Sequence, residues 1–85
     1  MHLDEIELKI LAALEDRRWH NAVDLAQDVA HHQQIVRSRL KALARYSMVE
    51  RGGWGEGWGA NWGRYRITKH GRHELAQQNQ LRLVL

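Results

Sequence analysis

Residues 52–63 limit the fold of this chain more than any other segment. These twelve residues hold six of the seven glycines and three of the four tryptophans of the chain. Because a glycine inside a helix costs up to ~1 kcal/mol relative to alanine, a helix through this segment is excluded. Polar and apolar residues alternate at 64–68, as in a half-buried strand, and residues 48–51 can form its partner. The segment is therefore predicted to be the outer part of a β-hairpin.

Helical periodicity lies on both sides of this hairpin. Asp4 and Glu7 have the spacing of a capping box, Asn21 is a typical N-cap, and Thr68 can cap a helix that follows it. The predicted helices span about residues 4–15, 22–29 and 33–45, and a fourth begins near residue 69. The expected fold class is mainly α with a small β-hairpin.

Length and composition exclude several classes of protein. Eighty-five residues make one domain, and without cysteine there is no disulfide framework or thiolate site. The longest purely apolar run, residues 10–14, is too short to cross a bilayer, and the first residues carry acid where a secretory signal carries base. We therefore expect no contact with a membrane and a cytoplasmic, nucleoid-associated location.

Charge is distributed unevenly along the chain. Residues 1–30 hold three basic and seven acidic side chains, whereas residues 31–85 hold ten basic and three acidic ones. A basic portion joined to an acidic one indicates that one face meets a polyanion. The alternative is a solvated surface with an uneven distribution of charge.

The order of elements, with a short connection at residues 30–32, resembles winged helix-turn-helix regulators of the MarR-like and ArsR-like type. Residues 21–30 (NAVDLAQDVA) resemble the first helix of their motif, and residues 33–43 (QQIVRSRLKAL) resemble their recognition helix. The sequences YSMVER and YRITKHGR, before and after the glycine-rich segment, resemble the strands of the wing. The resemblance implies one domain over residues 1–85, with the helix-turn-helix at 21–46, the wing at 48–68 and the C-terminal helix at 69–85.

Four positions depart from the family pattern, and one of them is His31, where an apolar residue is usual. Ala30 replaces the usual glycine of the turn, which is tolerated if the backbone keeps helical angles there. His32 replaces the usual serine or threonine N-cap, so the third helix is expected to be less well capped. Ser47 replaces a glycine at a position that can need a positive φ.

The third helix carries the residues expected to bind DNA. With Val36, Leu40 and Leu43 facing inward, the opposite face is polar and basic, and residues 30–48 contain no acidic side chain. Glutamine can pair with adenine and arginine with guanine, while lysine suits phosphates. An ordinary solvated helix is the alternative. The residues expected at bases are Gln33, Gln34, Arg37 and Ser38, and those expected at phosphates are Lys41, Arg45, Arg64 and Arg66.

The hairpin register follows from charge and hydropathy. Pairing Val49 with Ile67 and Glu50 with Arg66 buries the apolar pair and joins unlike charges. The same register sets Trp54 opposite Trp62 and leaves Trp58 at the tip. The three tryptophans can stabilise the hairpin, stack on nucleic acid or bind a protein partner, and the sequence leaves these alternatives open.

The expected function is sequence-specific binding of double-stranded DNA by a bacterial, archaeal or phage transcription regulator, such as a repressor. The alternative is a winged-helix protein-interaction module whose tryptophan-rich wing binds a replication or transcription partner. We expect no enzyme, because no phosphate-binding loop is present and neither serine has a credible histidine and aspartate beside it.

Metal binding and self-association complete the expectations. His70 and His73, with Glu74 or His20, have the residue types of a zinc site, but without cysteine we expect surface histidines, no metal and no cofactor. A homodimer is expected through Leu8, which lies off the apolar stripe of the first helix, and the C-terminal residues 81–85. Alternatively, the terminal leucines cover the core of their own domain.

Overall fold

The chain folds into helices around one small sheet. The computed structural model describes residues 3–52 and 63–84, and within them the fold is mainly helical with a two-stranded antiparallel sheet, as predicted. None of the described helices is long and apolar enough to cross a bilayer. The elements are α1 (Glu5–Ala13), α2 (Ala22–Val29), α3 (Gln33–Arg45), β1 (Val49–Arg51), β2 (Tyr65–Ile67) and α4 (Lys69–Val84).

Side-chain caps fix the first two helix starts at the predicted residues. The carboxylate of Asp4 accepts a hydrogen bond from the Glu7 backbone N–H at 2.8 Å, and Glu7 Oε1 accepts from the Asp4 N–H at 3.0 Å. Asn21 Oδ1 accepts from the Asp24 N–H at 2.8 Å. Each cap satisfies backbone donors that a helix start leaves unpaired, so the helices begin where the sequence predicts.

The core lies between α1, α2, α3, the sheet and the first part of α4. Leu8 corrects an expectation, because it is 8 % exposed and belongs to this core rather than to a free surface. The predicted apolar stripe of α1 does not include Leu8, but α1 packs against α4 as well as against α2 and α3. Leu8 is therefore unavailable for the expected self-contact. The largest fully buried side chains are Leu3, Ile10, Leu11, Leu14, Leu25, Val36, Leu40, Leu43 and Met48.

The sheet has the predicted register. Val49 pairs with Ile67, Glu50 with Arg66, and Arg51 with Tyr65. The register predicted for Trp54, Trp58 and Trp62 lies outside the described residues.

A single residue extends the sheet on its second edge. The backbone of His20 donates to the Tyr65 carbonyl at 2.8 Å and accepts from the Tyr65 N–H at 2.7 Å. The connection between α1 and α2 is thereby tied to β2, which the sequence does not predict.

Two turns use left-handed backbone at residues other than glycine. Ser47 has φ of 61°, the positive φ that the sequence analysis allows at this position. Ala30 has φ of 58° and ψ of 43°, so it does not keep the helical angles under which alanine is tolerated in place of glycine. Left-handed backbone ends α2 sharply, and the His31 N–H bonds back to the Ala26 carbonyl at 3.1 Å. The chain can therefore turn from α2 into α3 within three residues.

Candidate nucleic-acid interface

The outer face of α3 is exposed and polar. Val36, Leu40 and Leu43 are fully buried, as predicted. The opposite side presents five exposed polar or basic side chains, and Gln33 is partly exposed at the edge. The exposed residues are Gln34, Arg37, Ser38, Lys41 and Arg45.

The start of α3 is capped by a histidine ring. His32 Nδ1 accepts a hydrogen bond from the Gln34 N–H at 3.1 Å. The cap that the sequence expects to be weak is therefore formed, by an imidazole in place of a hydroxyl. It fixes the first turn of α3, which carries the predicted base-contacting residues Gln33 and Gln34.

Gln33 and Arg37 form a pair along α3. With its amide oxygen turned toward the guanidinium, Gln33 accepts from Arg37 Nη2 at 2.7 Å and from Nε at 3.3 Å. The pair restricts the rotamers of Arg37 before any ligand arrives, which reduces the entropy lost on binding. Gln33 is better placed to position Arg37 than to contact a base by itself.

The basic residues of α3 differ in their partners. Arg39 is ion-paired to Asp4 on the side of the helix that faces α1. Within residues 3–52 and 63–84, Arg37, Lys41 and Arg45 have no carboxylate at ion-pair distance. A row of exposed cations without internal counter-charges is suited to a phosphate backbone.

A cleft lies between α3, the start of α2 and the inner face of the sheet. Its lining includes Arg37 and Lys41 of α3, Arg51 of β1 and Tyr65 of β2, together with Asn21 and Val23. We call it the inner cleft. Among its lining residues are three basic side chains and no carboxylate. Arg51 is not among the residues predicted to bind DNA, although the predicted register places it opposite Tyr65.

Arg66 lies on the other face of the sheet. Its Nε donates to Glu50 Oε1 at 2.7 Å, Nη2 bonds to the same oxygen, and the guanidinium lies 4.5 Å from the centre of the Trp19 ring. Successive strand residues point to opposite faces, so Arg66 is not brought together with the cations of the inner cleft. Arg64, the other predicted wing cation, is exposed.

Ile35 is an exposed apolar residue in the first turn of α3. Its side chain is 42 % exposed. Ile35 is not among the predicted base contacts, although its place next to Gln34 on an exposed part of the helix is a signal for such a role. An apolar side chain at this place can contact the methyl group of thymine.

Two further groups of candidate residues are the three tryptophans and the histidines with Glu74. Trp54, Trp58 and Trp62 lie outside the described residues. Over the described part of the chain, no three histidine or acidic side chains are grouped as metal ligands, so His70, His73, Glu74 and His20 are not assembled into the zinc site considered above.

Comparisons with protein-family models and with curated proteins give no match. No model of a protein family matches the chain. No curated protein matches it either. Function is therefore inferred from the geometry of α3, the inner cleft and the sheet.

Proposed function

We propose that this chain is a winged helix-turn-helix domain that binds double-stranded DNA in a sequence-specific manner and regulates transcription. The observation that carries the proposal is the outer face of α3, where Arg37, Lys41 and Arg45 are exposed and have no carboxylate partner among the described residues. A helix of this length fits the major groove, and its cations compensate the phosphate charge.

The tight turn between α2 and α3 supports this function. Left-handed Ala30 and the His32 cap hold α2 and α3 close together while leaving the first turn of α3 exposed. In helix-turn-helix proteins this first turn contacts base edges, while the preceding helix crosses the backbone. Gln34, Arg37 and Ser38 then contact bases, and Gln33 orients Arg37.

The inner cleft supports contact with the phosphate backbone of DNA beside the major groove. Lys41 and Arg51 line it together with the N-cap residue Asn21. Cations and a helix N-terminus that converge on one cleft favour a phosphate group there. The proposed phosphate contacts are Lys41, Arg45, Arg51 and Arg64.

The test is a binding-site selection from random duplexes, followed by anisotropy titrations with the selected site. Arg37→Ala is expected to cost about 1–3 kcal/mol and to relax the base preference at one position. Lys41→Ala is expected to weaken all sequences equally and to reduce the salt slope by about 1.

Arg39→Ala is the matched control, because it removes an arginine of the same helix that is already paired to Asp4. It is expected to keep wild-type affinity. Equal losses in Arg37→Ala and Arg39→Ala contradict the proposed interface. Little affinity for any duplex favours the protein-interaction module instead.

A further inference from the structure

A second basic cleft lies on the outer face of the sheet. It is lined by Arg17 after α1, Glu50 and Arg66 of the strands, and Lys69 and Arg72 of α4. We call it the outer cleft. We propose that the outer cleft binds the phosphodiester backbone of nucleic acid at a place separate from α3. The cleft is independent of the function proposed above, but naming its ligand as DNA rests on that function.

Charge favours an anionic ligand in the outer cleft. Four basic side chains and one carboxylate line it, which gives a net charge of +3. That carboxylate, Glu50, is bound by Arg66. In the described part of the chain, Arg17, Lys69 and Arg72 have no ion-pair partner. Three cations thus remain available for phosphate groups.

The outer cleft is held in shape before any ligand binds. Thr68 Oγ1 donates to the Ser47 carbonyl at 2.6 Å and accepts from the Gly71 N–H at 3.0 Å, which fixes the start of α4 against the sheet. The N–H of Arg17 bonds to the Leu14 carbonyl at 3.0 Å. Binding therefore requires little ordering of the backbone.

The ligand is an extended polyanion rather than a small phosphate compound. The unpaired cations come from two separate parts of the chain, the turn after α1 and the first turn of α4. Ile67 is the only large apolar residue in the lining, so the cleft offers no pocket for a base or another apolar group. Phosphates repeated along one strand match cations spread over a surface.

The two clefts lie on opposite faces of the sheet. Arg51 and Tyr65 line the inner cleft, whereas Glu50 and Arg66 line the outer one. Adjacent strand residues point in opposite directions, so a DNA backbone bound in the inner cleft leaves the outer cleft open. The phosphates at the outer cleft come from a second duplex or from a bent flank of the first.

The experiment compares Lys69→Gln/Arg72→Gln with the control Lys9→Gln/Arg18→Gln. Each variant loses one lysine and one arginine, and the control residues do not line the outer cleft. In one arm, protein bound to an immobilised short duplex captures a labelled second duplex. In the other arm, the affinity for a long duplex is compared with that for the short one.

We expect the wild type and the control to capture the second duplex, or to bind the long duplex more tightly than the short one. In the outer-cleft variant this capture, or this gain in affinity, is expected to fall about tenfold, while the affinity for the short duplex is kept. Capture identifies a second duplex as the ligand of the outer cleft. A gain in affinity with duplex length identifies a bent flank of the first duplex as the ligand. If the outer-cleft variant and the control give the same capture and the same gain with length, the inference is overturned and the proposed function stands. This outcome includes capture of the second duplex by two protomers that bridge the duplexes, because such capture does not need the outer cleft. A wild-type protein that binds no short duplex overturns the proposed function and this inference together.

Discussion

Gly71→Ala tests how the sheet and α4 are joined. Gly71 lies in the first turn of α4, where alanine is ordinarily preferred by about 1 kcal/mol. Here a Cβ atom on Gly71 would lie 2.0 Å from the Met48 carbonyl oxygen and 3.0 Å from Ile67 Cγ1. Because ordinary van der Waals contact begins near 3.4 Å, strand and helix must separate by about 1.4 Å.

The expected loss of stability follows from the contacts that this separation disturbs. Forcing one extra carbon into a packed site costs about 1–3 kcal/mol. The same Met48 carbonyl accepts the Thr68 N–H at 3.0 Å, and weakening that hydrogen bond costs about 0.5–1.5 kcal/mol. After the gain in helix propensity, Gly71→Ala is expected to destabilise the fold by about 0.5–3.5 kcal/mol.

The assay is urea unfolding followed by far-UV circular dichroism, with Ala76→Gly as the control. Ala76 is exposed in the same helix, so its replacement measures helix propensity, with an expected loss of about 1 kcal/mol. Gly71→Ala is expected to lower the midpoint of thermal unfolding by roughly 4–8 °C for each kcal/mol lost. An increase in stability for Gly71→Ala would refute the close approach of α4 to Met48.

Four further predictions concern turns, caps, acid stability and base recognition. Ala30→Gly relieves left-handed strain and is expected to raise the free energy of unfolding in urea by about 0.5–1 kcal/mol. His32→Ala removes the cap of α3 and is expected to lower the free energy of unfolding by about 0.5–1 kcal/mol, whereas His32→Asp retains the cap. The hydrogen bond from His20, followed by that from the Arg18 N–H, lowers the pKa of Asp16. The ionised Asp16 carboxylate therefore stabilises the fold at neutral pH, and this stabilisation is lost as the pH falls through the lowered pKa. Asp16→Asn should therefore reduce the loss of stability measured below about pH 4. Replacing one thymine of the selected site by uracil should weaken wild-type binding but not that of Ile35→Ala, and equal losses in both would contradict a contact between Ile35 and the methyl group.

Local chemistry made the helices and the sheet register predictable. Asp4 and Asn21 signal helix starts through side chains that accept backbone N–H bonds, and both signals lie within three residues of their partners. The register follows from one apolar pair and one charge pair, Glu50 with Arg66. Similarly, the inward spacing of Val36 and its neighbours sets the outer face of α3 without knowledge of the tertiary fold.

Contacts between distant segments were not predictable. Leu8 is buried although it lies off the predicted stripe of α1, and α1 also packs against α4, which is more than fifty residues away in sequence. The stacking of Arg66 on Trp19 depends on the edge pairing at His20, which brings residue 19 beside the sheet. For the same reason the outer cleft, which combines residue 17 with residues of α4, has no sequence signal.

The salt dependence of duplex binding by the wild-type protein tests the central claim most directly. Lys41 and Arg45 of α3 and Arg64 before β2 are proposed phosphate contacts, and none of them has a carboxylate at ion-pair distance in the part of the chain that the structure describes. Counterion release then predicts that log Kobs falls with log[salt] with a slope of about −3 or steeper. A slope near zero, or the absence of duplex binding even at low salt, would contradict a DNA-binding role for α3.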